Sequence, residues 1–337
     1  MSSGYRRGGE RGGAVLRIYF QTEDLGRIRV APGPDPMWEI ALSLHRLRRN
    51  DAAVIFDGWR QQVRGAVPGS TRMIADLMPA GTGYFADFLT PMTPLPVLSS
   101  SLETLRSTPQ TRLRRDLSVI AARQRTRPMP PWTSQLADGD APTLNRLAHV
   151  VERYFDACLG AHWQHIRARI DQERFRLARL LAEFGSERVL QDLHPTGRWS
   201  SGMLEFAYPL EHELHLDGRG LVLLPSFFCW GAPTTLRDGD LAPVLVYPIQ
   251  HDLGWTSRRP HSVVALLGRS RAAVLEAVAG SACTTSELAR QAAMPLATVS
   301  QQATVLREAG LIVSRRSGQA VVHSITPLGL AVLAGGS

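Results

Sequence analysis

Apolar residues recur every three or four positions from Trp38 to Leu47 (Trp38, Ile40, Ala41, Leu44, Leu47), the spacing of one helical face. Pro34-Asp35-Pro36 introduces that helix, with Asp35 suited to the N-cap and Pro36 to the first helical position. A second helix is expected over residues 52–64. Ahead of both, the short apolar runs Leu16/Tyr19/Phe20 and Ile28-Arg29-Val30 flank turn-rich residues 21–26, which predicts a hairpin or strand pair. Residues 77–96, dense in proline and aromatics, predict an ordered irregular loop. Helical spacing returns over 99–127, broken at Pro109, and a loop rich in Pro, Gly and Asp is expected over 128–142. It is strongest over 143–184, where Leu144, Leu147, Val150, Val151, Tyr154, Phe155 and Leu159 share a face and Gly160 divides the run. Beyond Gly160, residues Ile166, Ile170, Phe175, Leu177, Leu180 and Leu181 are expected to point inward. After Leu193-His194-Pro195 the composition turns to that of strands, over 199–206, 213–216, 220–224 and 242–248. The unbroken apolar run from Leu221 to Trp230 must lie in a core, and Asp217-Gly218 reads as a hairpin turn.

Residues 284–324 carry the pattern that organises the chain. A short helix over 285–291, a turn at 293–296 and a second helix over 297–309 are expected, with Gly310 stopping the last. Two β-type runs follow, 311–314 and 320–325, with Arg315-Arg316-Ser317-Gly318-Gln319 between them as a basic tip. Helix, turn, helix and a hairpin make a winged helix-turn-helix. In its second helix Val299, Ala303 and Leu306 fall on one face, able to pack on Leu288 and Ala292. The opposite face holds Ala297, Ser300, Gln301 and Thr304, with Thr298 at its edge. These small polar groups and one amide can address base edges or phosphates; Arg315 and Arg316 can contact phosphates or enter the minor groove, and Gln319 joins them as a DNA-binding candidate.

The reader resembles the ArsR-type winged-helix repressors. The resemblance rests on Leu266-Leu267-Gly268-Arg269-Ser270-Arg271, Ser286-Glu287-Leu288-Ala289, Ala297-Thr298-Val299-Ser300, Val305-Leu306-Arg307-Glu308-Ala309-Gly310-Leu311 and Thr326-Pro327-Leu328-Gly329. The Cys-x-Cys pair of the metal-sensing members is replaced by Ser286-Glu287-Leu288-Ala289-Arg290. Gln301 and Gln302 stand where the family often has Arg or His, so a different DNA sequence is expected. Phe85-Ala86-Asp87-Phe88-Leu89-Thr90-Pro91, Asp192-Leu193-His194-Pro195, Gly220 to Ser226 and Leu245-Val246-Tyr247-Pro248 resemble the large N-terminal region of an actinobacterial subgroup of these regulators. That likeness implies a sensor or dimerisation module.

Composition narrows the classes. The 337 residues carry a formal charge of +8, which suits an anionic partner. Every basic residue is arginine, and from Ser262 onward six arginines face three glutamates. No apolar run reaches membrane-spanning length, and the arginine-bearing start lacks the apolar stretch of a secretory leader, so a cytoplasmic protein is expected. Residues 1–13 read as a disordered Gly/Arg tail. Cys158, Cys229 and Cys283 form neither a disulfide framework nor a metal-ligand pattern; Cys283 could sense oxidants, but a lone cysteine is more often inert packing. His162/His165, near Asp156 and Cys158, lack a third ligand set by spacing, and His212/His215, near Asp217, face opposite sides of a strand, so no metal is expected. No nucleophile elbow, phosphate loop or paired-carboxylate pattern is present, so neither catalytic residues nor a cofactor are expected.

The expected architecture is α+β: a large N-terminal α+β sensor or dimerisation region at 14–255, a linker at 256–261 and a winged helix-turn-helix at 262–335. The expected protein is a transcription regulator, a repressor, that binds double-stranded operator DNA as a homodimer and is controlled by a small-molecule effector. Trp38, Tyr84, Phe85, Phe88 and Trp230 are the aromatic residues expected to line the effector pocket. The alternatives are a reader fused to an enzyme-like domain, a ligand-independent dimeric regulator and a protein-interaction adaptor.

Overall fold

The computed structural model describes residues 14–80, 84–93, 96–124, 128–251, 261–280, 283–317 and 320–334. The chain opens with β1 (Val15–Tyr19), α1 (Thr22–Leu25), β2 (Arg29–Val30), α2 (Pro36–Leu47), α3 (Ala53–Val63) and α4 (Arg72–Asp76). Five helices follow: α5 (Leu98–Arg106), α6 (Gln110–Arg123), α7 (Trp132–Ala137), α8 (Ala141–Cys158) and α9 (Trp163–Asp192). Then come β3 (Arg198–Ser200), β4 (Met203–Ala207), β5 (His212–His215), β6 (Val222–Ser226) and β7 (Val244–Pro248). The C-terminal part holds α10 (His261–Leu267), α11 (Arg269–Gly280), β8 (Cys283–Thr284), α12 (Thr285–Gln291), α13 (Leu296–Glu308), β9 (Ile312–Ser317), β10 (Ala320–Ile325) and α14 (Pro327–Ala334). Helices and sheets both build the molecule, as the α+β expectation requires.

Two compact units are present. The first comprises Met1–Glu39, Arg72–Val150 and Ile170–Pro248; the second comprises Ile40–Thr71, Val151–Arg169 and Ile249–Ser337. Residues 40–71 and 151–169, expected with the sensor region, thus group with the C-terminal residues. The expected linker at 256–261 falls almost wholly outside the described residues, as does the tail at 1–13.

The first unit holds two sheets. One has the order β3-β4-β1-β5, with β1 antiparallel to β4 and parallel to β5. The other is parallel, in the order β2-β6-β7. β1 and β2 therefore belong to different sheets, which corrects the expected hairpin. Between them α1 is closed by a reciprocal cap of Gln21 and Asp24, and the buried Asp24 carboxylate also accepts from Gly220 N–H at 2.8 Å. Asp217-Gly218 does turn, with φ of 50° and 77°, but joins β5 of one sheet to β6 of the other, so no hairpin forms there either. The core is drawn from Leu16, Ile18, Leu204, Phe206, Leu221, Leu223, Leu245 and Tyr247, with Leu177, Val189 and Leu190 of α9 packed on them. Alternating burial in β1 and β4 reflects one covered face. Phe175, expected inward, is 75% exposed. Residues 128–142 are not all loop, because Pro130 and Pro131 lead into α7 and Pro142 sits in the first turn of α8, where a missing N–H costs nothing.

Buried carboxylates anchor this unit. Asp35 caps α2 as expected, accepting from Met37 N–H at 2.9 Å and Trp38 N–H at 3.2 Å. Glu39 accepts from Phe227 N–H and Phe228 N–H at 2.9 and 3.0 Å, which satisfies the backbone where β6 ends. Burial pushes Asp35 up to about 6 and Glu39 up to about 7, against the lowering effect of those hydrogen bonds.

In the second unit, α14 packs on α3 and on α11. Trp59 Nε1 donates to Cys158 O at 2.9 Å, and Ser43 Oγ lies 3.0 Å from Tyr154 Oη, so the polar tips of these buried side chains are matched. Among the described residues no helix is long and apolar enough to cross a membrane.

Candidate nucleic-acid interface

Helix α12 begins where Thr284 accepts from Glu287 N–H while Glu287 accepts from Thr284 N–H, a capping box. Those hydrogen bonds hold Glu287 below the usual carboxylate range. The helix ends in a Schellman motif: Ala293 N–H bonds to Arg290 O and Met294 N–H to Ala289 O. Ala293 takes the left-handed position with φ of 50°. Helix α13 ends the same way, Gly310 N–H bonding to Arg307 O and Leu311 N–H to Leu306 O, with Gly310 at φ 72°. Gly310 stops the helix as its sequence position implied.

Val299, Ala303 and Leu306 are buried and join Leu288, Val274, Leu275, Val278, Cys283, Leu311 and Ile312 in one core. This packing fixes the rotation of α13. Ala297, Ser300 and Gln301 are exposed, and Thr298 and Thr304 are half-buried. Thr304 Oγ1 donates to Ser300 O at 3.1 Å, so its hydroxyl hydrogen is committed to its own helix. Pro295 at the N-cap of α13 offers no side-chain acceptor to the first turn, whose N–H groups suit a phosphate.

The three-stranded sheet has the order β8-β10-β9. Its hairpin pairs Arg316 with Val321 and Arg315 with Val322, up to Ser317 opposite Ala320. Arg315 and Arg316 are therefore strand residues rather than part of the tip, which corrects the expected boundary at 314. Both are exposed, and successive strand positions send them to opposite faces. Gln319 and Gly318 lie outside the described residues. On the inner face buried His323 joins the wing to α12, with Nδ1 2.8 Å from Ser314 Oγ and Nε2 3.0 Å from Thr285 Oγ1. Burial, and then Arg307, hold its imidazole below its ordinary value. Strand alternation puts His323 on the face of Val321 and Ile325, but it is the one buried residue of β10, and reading the sequence did not single it out. Exposed Leu296 and Val305 on α13 were missed likewise, although Val305 stands one helical turn from Gln301.

Cys283 is buried, and burial followed by Glu287 pushes its thiol up to about 11, against thiolate formation. His212 Nε2 lies 3.2 Å from Leu236 O, while His215 stacks on Tyr19 at 4.5 Å. Among the described residues no group of three or more His, Cys, Asp or Glu side chains is placed to hold a metal ion, the surroundings of His162 and His165 included. In the first unit Trp38 and Phe88 are buried and Tyr84, Phe85 and Trp230 half-buried. The rings of Trp38 and Phe85 meet edge-on at 5.7 Å. Asp116 accepts from Phe88 N–H at 2.8 Å and also bonds Tyr84. Trp230 follows the Phe227-Phe228 pair held by Glu39, next to Trp38 in sequence.

Residues 266–315 match the helix-turn-helix domain family. Comparison with curated proteins and with solved structures finds no match. The matched span runs from the end of α10 through α13 into β9, so the C-terminal part of the chain carries a DNA-binding helix-turn-helix domain followed by a wing.

Proposed function

We propose that the protein is a cytoplasmic transcription regulator, a repressor of the ArsR-like kind, that binds operator DNA as a homodimer and is controlled by a small molecule held in the first unit. The observation that carries this reading is the face of α13: a helix-turn-helix match together with exposed Ala297, Ser300 and Gln301 opposite a buried apolar stripe. A solvent-facing helix with no partner would ordinarily carry Glu and Lys there. In the proposed complex α13 enters the major groove, and Arg315 and Arg316 approach phosphates or the minor groove. A single recognition helix reads few base pairs, and two-fold operators match two-fold proteins, which favours the homodimer.

The effector reading rests on the aromatic set Trp38, Tyr84, Phe85, Phe88 and Trp230. A ligand there controls DNA binding only if its affinity differs between the DNA-competent and incompetent states. The test is operator affinity of the purified chain with and without fractionated metabolites, alongside sedimentation of the free protein. A fraction that changes affinity, with a dimer in solution, supports the reading. A dimer whose affinity no fraction changes supports a ligand-independent regulator. Turnover of a bound molecule would instead place an enzyme beside the reader. Retained protein partners without DNA binding would make the chain an adaptor.

A further inference from the structure

Resting on that DNA-binding reading, we infer that the protein selects A·T base pairs, through an uncharged major-groove surface made by Ala297, Gln301 and Val305. These residues follow one another at four-residue spacing on α13, so they line one side of the helix. Val299, Ala303 and Leu306 are buried on the other side. Val305 keeps 38% of its surface exposed, an apolar side chain turned outward on a helix that buries three others.

The chemistry of this strip excludes the commonest contact to guanine. Guanine presents two acceptors in the major groove and is selected by bidentate Arg or Lys. Among the described residues of α13 the one cation is Arg307, about 120° around the helix from Gln301. Glu308, near the line of Gln301, cannot pair with the acceptors of guanine; its carboxylate suits cytosine N4–H, but it is the last residue of α13 and lies beyond Val305, outside the strip. Thr304 has its hydroxyl hydrogen bonded to Ser300 O. The Gln301 amide supplies one donor and one acceptor together, the complement of adenine N7 and N6–H. Ala297 and Val305, one turn to either side, supply the apolar contact that favours a thymine methyl. The strip from 297 to 305 is about 12 Å long, or about three to four base-pair steps.

The experiment is selection of binding sites from a random duplex library by the full chain, followed by base analogues in the enriched site. The expected half-site has an A·T core. Uracil for thymine then weakens wild-type binding about fourfold at a contacted methyl, and Val305→Ala loses that sensitivity at one position. Replacing adenine by 7-deazaadenine weakens wild type about fivefold or more at one position and leaves Gln301→Ala unchanged there. An enriched core dominated by guanine, or indifference of the wild type to both analogues, overturns the inference while the DNA-binding reading stands. Enrichment of no sequence overturns both.

Discussion

The two Schellman motifs of the reader make a matched experiment, because the left-handed position is Ala293 in one and Gly310 in the other. An L-residue in that conformation costs about 1–2 kcal/mol. Glycine removes this strain but widens the unfolded ensemble, which returns about 0.4–1 kcal/mol. Ala293→Gly should therefore stabilise the helix-turn-helix by about 0.5–1 kcal/mol. Gly310→Ala should destabilise it by a similar amount, since the new Cβ would meet Leu328 Cδ2 at 3.9 Å, ordinary contact that adds no clash. Hydrogen exchange of the α12 and α13 amides in the intact chain reads this directly. Protection should rise about two- to fivefold in the first variant and fall comparably in the second. Unchanged or lower protection in Ala293→Gly would refute the assignment of strain to that turn.

Three further outcomes are expected. Arg315→Ala should weaken binding to all DNA sequences and reduce the slope of log affinity against log salt by about 1; an unchanged slope in a salt titration would remove Arg315 from the interface. Glu39 is raised to about 7 from an ordinary 4.5, so the folded state holds its proton more tightly than the unfolded chain. Its contribution is present below about 4.5 and lost as pH rises to about 7, up to about 3 kcal/mol, and urea titrations across that range should show Glu39→Gln lacking this slope. His323 has the opposite sign: its folded value lies below the ordinary one, so reader stability is full above about 6.5 and declines as pH falls below it. His323→Phe should abolish that decline in exchange-protection profiles, at the cost of leaving Ser314 and Thr285 without their imidazole partner.

The reader was legible because its signals are local. Val299, Ala303 and Leu306 are separated by one turn, and Gly310 marks the helix end in the sequence itself. Arg315 and Arg316 were set in the tip because two charged residues look like a turn, whereas pairing with Val322 and Val321 holds them in a strand. In the first unit the deciding partners are remote. β1 pairs residues 203–207, and β2 pairs Val222 and Leu223, so no window around residues 15–30 could show that these strands part company. The same holds for Glu39, whose amide partners Phe227 and Phe228 lie far along the chain. For the interface, the wheel of α13 displayed Gln301 and, one turn on, Val305; an apolar residue there does not stand out as a contact until its exposure beside a fully buried stripe is seen.

The most direct test of DNA recognition is a binding titration of the purified full chain against the DNA upstream of its own gene, at two salt concentrations, with a scrambled duplex as control. Salt-sensitive binding that prefers the upstream fragment is the predicted result. No binding to either duplex at low salt would contradict it.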